Sequence, residues 1–173
     1  SELMSMGYVM YYPMIALIVL YYFFYKYQEA ERASFVILAG FFLYYVVFIY
    51  VPVVGPTFYY DAVGVRDIAQ GVFPALGDYF NTHTDCLPTP SSHVSISTIC
   101  LLLGWHSGNR KLVYIMLPFY IFLCLATVYI QAHYLIDAIA GLASGVIVYF
   151  LLMAVSKNMV ESKKASSRLR FRD

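Results

Sequence analysis

Five apolar runs, each close to the length of a bilayer crossing, constrain this chain more than any other feature. A helix needs roughly 20 residues to span a hydrocarbon core of about 30 Å, because each residue adds only about 1.5 Å. The runs extend from about Met4 to Tyr25, Ser34 to Val53, Ser92 to Trp105, Leu112 to Ile130 and Leu135 to Val155, the third being short. Composition agrees: 61% of the residues are hydrophobic and 12% charged, with a mean hydropathy of +0.69. Soluble domains carry about 25% charged residues, so lipid must be most of the solvent here. The expected fold is all-α, a polytopic transmembrane helix bundle in a single integral membrane domain over residues 1–173.

The charges set an orientation. Ten of the eleven lysines and arginines fall at one membrane face. Lys26 and Arg32 separate the first two runs, Arg110 and Lys111 the third and fourth, and the other six follow the fifth run in a basic tail over residues 156–173. Basic residues gather in cytoplasmic segments, so that face is expected to be cytoplasmic. The opposite face holds a long loop over residues 54–91, with Arg66 beside Asp61, Asp67, Asp78 and Asp85. Turn signals at Gly55-Pro56 and Pro88-Thr89-Pro90 break it, and Asp67 to Val72 can form a short interfacial helix. With 11 basic against 10 acidic residues, nothing suggests nucleic acid as a partner. The spacing of Cys86, Cys100 and Cys124 suggests neither a disulfide framework nor a metal site.

Ionisable groups at a membrane face are costly unless paired or used, so they are the first candidates for chemistry. His93 follows Pro90-Ser91-Ser92 at the outer start of the third run, and His133 and Asp137 open the fifth. The topology brings all three to one face. The i, i+4 spacing of His133 and Asp137 places them on one side of a helix, where a carboxylate can fix the imidazole tautomer. Pro90-Ser91-Ser92-His93 reads as a turn into a helix N-terminus, whose free N–H groups and positive dipole end favour an anion. Taken alone, Ser91 or Ser92 is an N-cap and the histidine–aspartate pair a satisfied helix start. Together, an anion nest, two histidines and an orienting carboxylate suit phosphoryl transfer through a phosphohistidine. His83 in the long loop and His106 beside Arg110 are weaker candidates, and the many tyrosines read as packing and interfacial-belt residues.

Pro90-Ser91-Ser92-His93, followed by Ala132-His133-Tyr134-Leu135-Ile136-Asp137-Ala138-Ile139-Ala140-Gly141, resembles the type 2 phosphatidic acid phosphatase family of membrane lipid phosphatases. That family's pattern is K-x6-R-P, then P-S-G-H, then S-R-x5-H-x3-D, and the likeness covers roughly Val51 to Leu152. It implies a six-helix core, with the second and third motifs opening the fourth and sixth helices, and hence a helix before Ser1. It also implies that His133 attacks phosphorus, that Asp137 orients it, and that His93 protonates the leaving oxygen. Ser91 and the Ser92 amide would bind phosphate oxygens of a membrane lipid phosphate, with no metal and no cofactor.

Two departures accompany the resemblance. No K-x6-R-P precedes Pro90, so the family pattern implies basic residues between Asn81 and Ser91 beyond those present. Ala126-Thr127 stands where Ser-Arg is expected, and threonine cannot replace a bidentate guanidinium. Inositol phosphorylceramide and sphingomyelin synthases keep the two histidines and the aspartate without that arginine. Head-group transfer therefore stands beside hydrolysis. A transporter or other non-catalytic protein with histidines in a polar cavity is the third alternative, against which the motif spacing argues.

Overall fold

The computed structural model describes residues 2–51 and 90–170. They form α1 (Glu2–Val9), α2 (Tyr11–Tyr25), α3 (Tyr27–Tyr50), α4 (Ser92–His106), α5 (Arg110–Tyr129) and α6 (Leu135–Arg170). Among the described residues the fold is all-helical, as the apolar runs predict. The segments α1 and α2 make one rod over Glu2–Tyr25, interrupted at Met10. Pro13 explains the interruption, since its ring removes the N–H that would bond Val9 and crowds that carbonyl. The chain then reverses at Lys26, whose φ of −136° and ψ of 43° leave the helical region.

Four helices, Glu2–Tyr25, Tyr27–Tyr50, Arg110–Tyr129 and Leu135–Asn158, are long and apolar enough to cross a membrane. Large apolar side chains such as Phe24, Ile49, Tyr114 and Ile147 point outward from them, as lipid requires and water would penalise. The chain is an integral membrane protein. With 15 residues, or about 22 Å, α4 is shorter than these four. It is the central helix, buried continuously from Val94 to Cys100 and packed against α2, α3, α5 and α6.

Parallel helices α4 and α6 form the closest pair. Gly141 and Gly145 present a bare stripe on α6, and a Cβ on either would lie 2.7 Å from a backbone oxygen, Ser91 O and Ser95 O respectively. Small residues four apart allow this backbone-to-backbone approach. Ser95 fills the seam, its hydroxyl donating to Ser91 O at 2.7 Å and Gly141 O at 2.9 Å. At the other end Arg32 ties α3 to α6, donating from Nε to Ser156 Oγ at 2.9 Å and from its guanidinium to Met153 O at 3.2 Å.

Three expectations need correction. The second helix begins at Tyr27 rather than Ser34, because Gln28 to Arg32 are mostly polar but good helix formers. The last continues past Val155 to Arg170, since helical propensity persists where hydropathy ends. The first carries a break that apolar periodicity does not show. The expectations for the long loop, including its interfacial helix, His83 and extra basic residues, fall on residues 52–89 and lie outside the described residues.

Candidate active site

The site is assembled where α4 and α6 begin. Ser91 is the N-cap of α4, with its hydroxyl oxygen accepting from Val94 N at 3.5 Å and no solvent exposure. Its backbone N–H donates to Asp137 O at 3.2 Å, which locks the turn before α4 to the first turn of α6. By helix geometry the next amides, Ser92 and His93, point out of the start of α4. Ser92 and His93 are both half-buried.

The turn from α5 into α6 fixes the second half. Gln131 adopts φ 59°, a left-handed conformation that turns the chain back, and His133 N–H then donates to Thr127 O at 3.1 Å. Asp137 reaches back so that Oδ2 accepts from Tyr134 N at 3.1 Å, capping the helix. One carboxylate oxygen therefore serves the backbone and faces the imidazole together. His133 Nδ1 lies 3.9 Å from that Oδ2, with His133 only 3% exposed and Asp137 4%. The expected hydrogen bond between them is not closed, and Nδ1 is buried without a hydrogen-bond partner. The cap on Tyr134 holds the carboxylate too far away.

The His93 ring centroid stands 6.4 Å from that of His133, at 56°. Residues from distant runs thus meet as the topology requires. With its Nδ1 turned toward Asp137, His133 has Nε2 as its remaining nitrogen for chemistry. His93 is flanked by two residues that the sequence reading did not single out. The Tyr8 ring is 4.7 Å away and the Tyr11 ring 4.5 Å, and the Tyr8 hydroxyl lies 3.4 Å from His93 Nδ1. A signal for them existed: Tyr8 and Tyr11 are three residues apart at the end of the first span that the helix order brings level with His93.

The other sequence candidates lie elsewhere. His106 is exposed at the opposite end, where the Arg110 guanidinium stacks 3.8 Å above Trp105. Thr127 is fully buried and donates to Leu123 O at 2.6 Å, so its hydroxyl is turned into its own helix. Lys26, Arg32, Arg110, Lys111 and Lys157 also lie at the end away from the histidines. No group of three His, Cys, Asp or Glu residues is arranged to hold a metal among the described residues.

Two histidines on separate helix starts, a carboxylate behind one and an N-capped helix start between them, can pass a phosphoryl group and a proton between neighbouring atoms. A family model described as the PAP2 superfamily matches residues 2–151. No curated protein and no solved structure matches the chain.

Proposed function

The chain belongs to the PAP2 superfamily, and from that premise we propose that it is a membrane lipid phosphatase working through a phosphohistidine at the extracytoplasmic face. Its substrate is a lipid phosphate monoester or pyrophosphate. The observation that carries this reading is the 6.4 Å approach of the His93 and His133 rings, with Asp137 behind His133 and Ser91 at the α4 start.

In the first step the Nε2 lone pair of His133 attacks phosphorus, the bond to the lipid oxygen breaks, and His93 Nε2 gives that oxygen its proton. Water then attacks the phosphohistidine, His93 takes the water's proton, and the N–P electron pair returns to His133. Asp137 orients His133, and the 3.9 Å gap shortens when the imidazole gains positive charge. The N-cap hydroxyl of Ser91 and the amides of Ser92 and His93 receive the phosphate oxygens, aided by the positive end of α4. The basic residues at the far end support a cytoplasmic C-terminal tail over 156–173, which leaves the histidines and loop 54–91 outside.

Head-group transfer is the second reading, favoured by one observation. The Thr127 hydroxyl, standing where the family pattern has arginine, is committed to Leu123 O and offers the phosphate nothing. Purified protein given lipid phosphates without an alcohol acceptor separates the two. Release of inorganic phosphate supports hydrolysis, and turnover that requires an acceptor and frees no phosphate supports transfer.

A further inference from the structure

We propose that Tyr8 is a positioning residue for His93, doing for the acid–base histidine what Asp137 does for the nucleophile; this rests on the phosphohistidine reading above. The geometry is specific. Tyr8 lies on α1, far in sequence from the phosphatase-like motifs, and is 2% exposed. Its neighbour Gly7 seats α1 directly on α5, since a Cβ there would lie 2.7 Å from the Phe122 ring and 3.2 Å from Ala126 Cβ. The hydroxyl is thereby delivered to His93 Nδ1 at 3.4 Å, while the Tyr8 and Tyr11 rings flank the imidazole at 4.7 and 4.5 Å. Such bonds are often long before substrate is bound.

The proton balance explains why a hydroxyl suits this place. In both forms that His93 adopts during turnover, cationic and neutral, Nδ1 keeps its hydrogen and donates it to Tyr8 Oη. Nε2 then alone gives a proton to the leaving oxygen and later takes one from water. A neutral imidazole with its proton on Nε2 could not accept that second proton. By accepting from Nδ1 rather than donating to it, the Tyr8 oxygen holds the useful tautomer without touching the substrate.

Tyr8→Phe tests this, because it keeps the ring and removes only the oxygen. Two substrates are compared: a lipid phosphate with an alkanol leaving group, and an aryl phosphate whose nitrophenolate leaves without a proton. For Tyr8→Phe, kcat on the alkyl ester should fall roughly tenfold, a typical hydrogen-bond contribution, with KM within about twofold; on the aryl ester the first-turnover burst of nitrophenolate should keep nearly the wild-type rate while the hydrolysis that follows slows. Adding Tyr8→Phe to His93→Ala should cost no more. An aryl ester burst slowed as much as alkyl ester cleavage, no loss on either ester, or a full additional loss on top of His93→Ala would overturn the role of Tyr8 alone. A His133→Ala protein that still turns over would overturn this role and the phosphohistidine reading together. Nitrogen NMR of wild-type protein gives a second readout if Tyr8→Phe does not fold: neutral His93 should carry its proton on Nδ1, and a proton on Nε2 overturns the proposal.

Discussion

Replacing Gly141 with alanine puts a methyl group into one of the two tight contacts that set α6 against α4. The added Cβ would sit 2.7 Å from Ser91 O, 3.2 Å from Val94 Cβ and 3.3 Å from Ser95 Oγ. An ordinary carbon–oxygen contact is about 3.4 Å, so α6 must retreat from α4 by roughly 0.7 Å. Backbone oxygen cannot rotate away, so the helices must move. Overpacking of this kind costs about 1–3 kcal/mol, partly offset by about 0.5–1 kcal/mol that alanine gains over glycine in a helix. Stability should therefore fall by about 0–2.5 kcal/mol. Activity should change much more, because His133 and Asp137 ride on α6 while Ser91 and His93 ride on α4, and a misplacement near 1 Å can cost about 10²-fold. Gly104→Ala is the control: its Cβ would meet Val113 Cγ2 at an unstrained 3.6 Å, and turnover should be unaffected. Phosphate release and thermal unfolding measured on the same detergent-purified samples give both quantities. A Gly141→Ala protein with near-wild-type turnover would refute the reasoning.

Two further perturbations act on other parts of the structure. Asp137→Asn keeps an oxygen for the Tyr134 amide but removes the charge facing His133, so kcat should fall about 10²-fold or more while the unfolding temperature stays within a few degrees; unchanged kcat would remove Asp137 from the mechanism. Arg32→Ala deletes two bonds to α6 at the end away from the site and should lower stability by about 1–3 kcal/mol, leaving turnover per folded molecule unchanged. A loss of turnover without a loss of stability would contradict that division.

Much of this was legible because each apolar run has to solve the same problem in lipid. Run lengths and the one-sided basic residues give the helix order and bring His93, His133 and Asp137 to one face, where the structure has them. What sequence periodicity could not reach depends on how rods cross. The contact of Gly141 and Gly145 with Ser91 and Ser95 needs the relative register of α4 and α6, and neither run reveals it alone. Tyr8 and Tyr11 look like any interfacial tyrosines until α1 is laid beside α4. The His133–Asp137 spacing was readable, whereas its 3.9 Å separation follows from a competing cap on Tyr134. Hydropathy alone misplaces the helix ends at Tyr27 and Arg170, because it reports the bilayer and helix propensity extends beyond it.

The central claim is that His133 becomes phosphorylated, and trapping the intermediate tests it most directly. Protein mixed with a lipid phosphate carrying radioactive phosphorus is quenched in alkali, where phosphohistidine survives, and the label is mapped by peptide mass spectrometry. The account predicts label on His133, none in His133→Ala, and accumulation in His93→Ala when the leaving group is activated, since water attack then lacks its base. Phosphate release in a single turnover with no label on His133, or label on another residue, would contradict it.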